Sequence, residues 1–176
     1  MGEVKVFKVD IQDEDMGREL LRLLNAYALD HQGGGENLSD YCRQNLLNEL
    51  KTRADSSHIF IAAIDGINVG ISTTFVGFST FAARPLLNIH DFAVCPEHRR
   101  KGVGKAMMAY IEEFSRSMGY CKLTLEVRQL INHSINQSIH QLFNHSIGQL
   151  VICFHSLPRP SPFYYLLLTA YLPHRY

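Results

Sequence analysis

The sequence predicts one α/β domain of the α+β kind, with helices flanking a mixed sheet. The chain has 176 residues, enough for a single domain that buries a core without metal or disulfide staples. Strand-like and helix-like patterns succeed one another as β-α-α-β-β-β-α-β over residues 1–127. Within that order a strand–helix–strand unit spans 86–127, whose two strands should lie parallel through a right-handed crossover.

Each element has its own signal. Residues 4–9 alternate as a strand does. Asp10, Asp13, Glu14 and Asp15 place acids where a helix starts, as its dipole favours. Met16, Leu20, Leu23, Leu24 and Tyr27 then recur at helical spacing. Gly33-Gly34-Gly35 breaks the chain before a second helix with Tyr41, Leu46, Leu47 and Leu50 on its apolar side. Residues 59–64 and 67–78 read as strands joined at Asp65-Gly66, a hairpin turn signal. Another strand covers 86–94 and stops at Pro96. Val103, Met107, Tyr110, Ile111 and Phe114 give an amphipathic helix over 102–118, and 121–127 is a last clear strand. Farther on, the pattern gives a helix at 129–147 and strands at 151–155 and 163–172.

Composition narrows the function. With 17 basic and 17 acidic residues, the chain is not a generic polyanion binder, and no nucleic-acid partner is expected. Cys42, Cys95, Cys121 and Cys153 form no CxxC, which argues against a disulfide framework or a zinc ribbon and fits a reducing compartment. MGEVKVFKVD lacks the apolar core of a signal peptide, and the longest strongly apolar run, 163–172, is about half a membrane span. The expectation is a soluble cytoplasmic protein with no membrane partner.

The charge balance hides a seam. Every acidic residue lies at or before Glu126, so the net charge is −3 over 1–126 and +3 over 127–176. Residues 131–147, INHSINQSIHQLFNHSI, are near-copies of a four-residue word. As a helix, a period of four would wind its apolar stripe around the axis by about 40° per step. The favoured alternative is a replaced C-terminal end, which divides the chain into a core at 1–127 and an atypical low-acid segment at 128–176. His133, His140 and His145 share no metal-ligand spacing, and no metal is expected.

Residues 97–107 read Glu-His-Arg-Arg-Lys-Gly-Val-Gly-Lys-Ala-Met. Glycines between a strand end and a helix start let main-chain N–H groups converge on an anion. The first helical turn adds unpaired donors and the positive end of the dipole, while Arg99, Arg100, Lys101 and Lys105 add full charges. The plainer alternative is a basic surface turn capped by glycines. A Walker A loop does not fit, because Ala106 follows Lys105 where Ser or Thr is needed; a dinucleotide fingerprint does not fit either, because Met107 replaces its third small residue.

Asn88-Ile-His-Asp-Phe-Ala-Val-x-Pro-Glu-His-Arg-Arg-Lys-Gly-Val-Gly-Lys, the helix after it and Lys122-Leu-Thr-Leu-Glu-Val resemble the GCN5-related N-acetyltransferases (GNAT). The R/Q-x-x-G-x-G/A signature of that family matches at Arg99, Gly102 and Gly104, and 75–94 resembles its diamine acetyltransferase branch. The resemblance covers essentially everything before the seam. It implies a mixed, mostly antiparallel sheet that splays between the motif strand and the next, with acetyl-coenzyme A in the gap. Pantetheine would pair with the main chain of Phe92, Ala93 and Val94. The pyrophosphate would sit on the N–H groups of 100–105, making Arg99, Arg100, Lys101, Gly102, Val103, Gly104 and Lys105 the rest of the cofactor set.

The implied reaction moves acetyl to a primary amine of a small molecule by direct attack in a ternary complex. The amine arrives protonated, since alkyl amines titrate near pH 10, so a base must take its proton. Asp91 and His90 are the candidates, and strand alternation puts them on opposite faces. In the diamine branch a glutamate stands where His90 does, so this histidine is a departure. The Val94 N–H is the expected donor to the oxyanion. The family's acid, a tyrosine in N-x-x-A-x-x-L-Y, has its nearest match in Asn136 to Phe143, where Phe143 carries no proton; Tyr164, Tyr165 and Tyr171 are substitutes. Asp30, Glu36 and Asp40 would attract a cationic acceptor, and Phe75, Phe78 and Phe81 would wall its site. Alternatives are acetylation of a protein amine, a coenzyme-binding module without turnover, and a partner-dependent or homodimeric chain paired through the apolar tail.

Overall fold

The computed structural model describes residues 2–129, 150–155 and 164–171. Its strands are β1 (Val4–Lys8), β2 (Ser57–Ile64), β3 (Ile67–Ser79), β4 (Arg84–Val94), β5 (Lys122–Gln129), β6 (Leu150–His155) and β7 (Tyr164–Tyr171). Its helices are α1 (Glu14–Leu29), α2 (Asp40–Thr52) and α3 (Val103–Ser117). The order expected through residue 127 is the order observed. β6 and β7 fall on the two late strands, and β5 runs across the seam to Gln129, where a helix was expected to begin. The rest of that helix, at 130–147, lies outside the described residues.

The chain forms two compact units, Met1–Phe75 with Asp91–Ile111 and Val76–His90 with Glu112–Tyr176. β3, β4 and α3 each run through both.

In the first unit the strands are ordered β1-β2-β3-β4. β1 and β2 pair antiparallel with Val6 opposite Ala62, and β2 and β3 pair antiparallel with Ile61 opposite Ile71. Their hairpin turns on Asp65 and Gly66, at φ 50° and 80°. Two successive positive φ values make the tight turn whose twist suits antiparallel strands. α1 starts because the Asp13 carboxylate accepts from the Asp15 and Met16 N–H groups, with Glu14 and Asp15 in its first turn. The Ser39 hydroxyl caps α2 by accepting from the Cys42 N–H.

Leu20 and Leu23 of α1 and Leu50 of α2 bury against Ile59, Ile61 and Ile71 on one face of the sheet. Each such side chain contributes about 1.5–3 kcal/mol. Ala62, on the other face of β2, packs with Val103 and Met107 of α3. The approach of α3 requires Gly70. A Cβ there would stand 2.7 Å from the Met107 sulfur and 3.3 Å from both Ala62 Cβ and Val103 Cγ1. Gly70→Val should therefore overpack this face and lower stability by about 1–3 kcal/mol, read from urea unfolding.

In the second unit the sheet runs β4-β5-β7-β6. β4 and β5 are parallel over three pairs, Leu87 with Leu123, Asn88 with Thr124 and Ile89 with Leu125, as a β-α-β crossover requires. The Asn88 amide nitrogen donates to the Thr124 hydroxyl at 2.9 Å. β7 lies antiparallel to both β5 and β6. This mixed, mostly antiparallel sheet is the one expected. The pairing of β4 with β5 stops at Ile89, although β4 itself continues to Val94.

Candidate active site

β4 ends at Val94, and the Cys95 N–H donates to the Val69 carbonyl at 2.8 Å. A single 3-10 turn over Pro96–His98 redirects the chain. Arg100 and Gly102 then adopt left-handed φ values of 62° and 82°. Their alternation with ordinary residues is the geometry that gathers successive N–H groups into an anion-binding concavity. α3 follows at once, and its Ala106 N–H donates to the Gly102 carbonyl at 3.0 Å. Among the described residues, none of the six N–H groups of 100–105 donates a hydrogen bond. Six free donors at the positive end of a helix, beside Arg100, Lys101 and Lys105, suit an anion the size of a diphosphate.

The two signature glycines have different reasons. At Gly102 the backbone conformation itself disfavours a side chain. Gly104 sits in the first turn of α3, where a Cβ would meet the Phe92 ring at 3.6 Å, an ordinary contact. Phe92 and Val94 share the face of β4 that packs with Val103 and Met107, whereas Ala93 and Cys95 pack toward α1.

Arg99 behaves differently from the other cations of the expected cofactor set. Its Nε donates to the Val94 carbonyl at 3.0 Å, and its guanidinium pairs with Asp30 Oδ2 at 2.7 Å. Asp30 Oδ1 accepts from the Gln32 N–H, and the Asp30 side chain is only 12% exposed. The acid expected to draw in a cationic acceptor thus clamps the loop after α1 to the end of β4. Below the clamp, the space lined by Tyr27, Ala93, Cys95 and Arg99 measures about 10 Å³, room for roughly one water.

The Gln32 N–H, opposed by desolvation and helped by Arg99, holds the Asp30 carboxyl below its ordinary range. A depressed carboxyl stabilises the fold above its unfolded pKa, and that contribution disappears as pH falls through the lower, folded value. Arg99→Gln should raise the Asp30 titration, seen by carboxyl-resolved NMR, and shift the onset of acid unfolding to higher pH.

His90 is exposed and Asp91 half-buried. Asp91 Oδ2 accepts a hydrogen bond from the hydroxyl of Thr73 on β3, a partner that no sequence motif announced. Burial pushes the Cys95 thiol up, with Arg22 opposing, so it stays protonated and is a poor nucleophile. Glu36 is exposed, and Asp40 pairs with Arg43 at 2.5 Å. Phe75 packs against the α1 core, while Phe78 and Phe81 are exposed. Asn136 to Phe143 and the side chains of Tyr164, Tyr165 and Tyr171 lie outside the described residues. Among the described residues no three metal-ligating side chains come together, and no helix is long and apolar enough to cross a membrane.

The profile of the Acetyltransferase (GNAT) family matches residues 20–136. The streptothricin acetyltransferase of Streptomyces lavendulae is 36% identical over 74 residues, which are 42% of this chain and 37% of that protein. The chain thus matches little more than a third of that relative's length. Among solved structures, nourseothricin acetyltransferase aligns at 26% identity and TM-score 0.50 over 68% of each chain. The yncA protein of Salmonella typhimurium, solved with its cofactor acetyl-CoA, aligns at 13% identity and TM-score 0.70 over 99% of this chain and 96% of that one; this likeness bears on the fold alone. The named relatives are a streptothricin and a nourseothricin acetyltransferase, which do not extend the resemblance to the diamine branch. A match over β2 to β5, the glycine loop and α3 together means that the chain belongs to the GNAT acetyltransferase family.

Proposed function

We propose that the protein is an N-acetyltransferase that moves acetyl from acetyl-coenzyme A to a primary amine of a small molecule. The observation that carries this reading is the run of six unbonded N–H groups at 100–105, in the loop and first helical turn that follow β4. They fit the diphosphate of the coenzyme, with Arg100, Lys101 and Lys105 as counter-charges and Arg99 as the clamp that fixes the loop. The main chain of Phe92, Ala93 and Val94 is the docking edge for the pantetheine arm.

Acetyl-coenzyme A supplies the activated thioester. The amine nitrogen bonds to its carbonyl carbon, the carbon–sulfur bond breaks, and the sulfur leaves as a thiolate that takes up a proton. The chain must remove a proton from the incoming ammonium, and we assign that role to Asp91, directly or through a water, because it is half-buried and bonded to Thr73 whereas His90 is exposed. The Val94 N–H is the donor we assign to the developing oxyanion. Direct attack agrees with the protonated state of Cys95, which disfavours an acyl-cysteine route.

The acceptor class is a small cationic amine; streptothricin, aminoglycosides and polyamines form the panel to test. Thiol release from acetyl-coenzyme A should rise above background with at least one of them. Coenzyme binding without turnover on any member would reduce the protein to a coenzyme-binding module.

A further inference from the structure

We infer that Thr73 is the positioning residue for the base, holding Asp91 in the one orientation that receives the acceptor's proton. This rests on the reading of Asp91 as base given above.

The middle of β3 reads Ser72-Thr73-Thr74, three hydroxyls that are all at least 96% buried in a strand otherwise rich in apolar residues. A buried hydroxyl without a partner costs about 1–3 kcal/mol, so each needs a reason. Thr74 donates to the His58 carbonyl at 2.7 Å, a bond within the sheet. Ser72 Oγ has no partner among the described residues. Thr73 alone spends its proton on an ionisable side chain, Asp91 on β4. Valine would fill the same volume with a better strand preference, so the hydroxyl is the feature to explain.

The direction of the bond matters. The hydroxyl donates and the carboxylate Oδ2 accepts, which ties the side chain to β3. One carboxylate oxygen is engaged, and Oδ1 is left for the acceptor or a relaying water. Thr73 is itself stiff, because its β-branch restricts χ1 within a strand. A carboxylate on a half-buried strand position would otherwise divide its time among rotamers, and a base misplaced by an ångström loses on the order of a hundredfold in rate.

The test uses the full chain and the panel amine turned over fastest. Thr73→Val should lower kcat about ten- to a hundredfold while acetyl-coenzyme A affinity and the thermal midpoint stay near the parent values. Thr73→Ser, which keeps the donor, should restore turnover to within about threefold. In an Asp91→Asn background Thr73→Val should have no further effect, since the group it orients is gone. If Thr73→Val does not fold, Thr73→Ala, which removes the donor and adds no volume, must show the same loss. Full kcat in these variants, with Asp91→Asn impaired, would overturn the positioning role and leave the base in place. Full kcat in Asp91→Asn, or no turnover of any amine, would remove both.

Discussion

Gly104→Glu should weaken acetyl-coenzyme A binding at least a hundredfold, about 2.7 kcal/mol or more, in a protein that folds as well as the parent. The fold should survive for two reasons. A Cβ at this position makes only an ordinary contact with the Phe92 ring, at 3.6 Å. A carboxylate in the first turn of α3 is favoured by the helix dipole, and replacing glycine within a helix gains up to about 1 kcal/mol of propensity. Binding should fail because the new carboxylate accepts from the very N–H groups of 100–105 that are otherwise free. It also neutralises part of the Arg100, Lys101 and Lys105 charge and repels the diphosphate. Gly104→Ala separates bulk from charge, and the signature itself admits alanine there, so its affinity should stay close to that of the parent. Calorimetric titration with acetyl-coenzyme A, beside thermal unfolding of all three proteins, decides the matter. An unchanged dissociation constant in the glutamate variant would mean that the diphosphate lies elsewhere.

Much of this loop was legible before the fold was known, and the reason is locality. A turn such as Asp65-Gly66 is specified by the residues that adopt its positive φ values, and the Asp13 cap by donors two and three residues away. The Arg99-x-x-Gly102-x-Gly104 loop is equally local, since its chemistry lies in its own main chain. The clamp was not legible. Arg99 and Asp30 are 69 residues apart, and both were assigned outward-facing electrostatic roles that their mutual bond now occupies. Thr73 and Asp91 are 18 apart. Their meeting depends on the register of β3 against β4, where a slip of one residue would turn either side chain to the other face. The hint lay in the polar run 72–74 inside a strand, since buried hydroxyls imply partners. Beyond Val127 the reading rested on pattern alone; the strands at 150–155 and 164–171 carried an apolar signal strong enough to place them, and the four-residue words at 131–147 lie outside the described residues.

Asp91→Asn should lower kcat by about 10²–10⁴ near neutral pH without changing acetyl-coenzyme A affinity. Asparagine keeps the shape and can still accept from Thr73, but it cannot take a proton from an ammonium. The pH dependence distinguishes this from a packing defect. At pH 7 only about one alkyl amine in a thousand is neutral, and near pH 10 about half are. Under the proposed mechanism the parent draws on the protonated majority through its base, whereas the variant waits for amine already neutral in solution. The deficit should therefore narrow steadily as pH rises, approaching parity near the acceptor's own titration. A deficit of constant size would mean that Asp91 shapes the site without moving the proton. His90, exposed and on the opposite face of β4, should tolerate glutamine with less than about a tenfold loss, the lower bound for removal of a general base being near a hundredfold. Were His90→Gln to reproduce the pH-dependent deficit while Asp91→Asn did not, the two residues would exchange roles, and the bond from Thr73 would be a feature of the sheet alone.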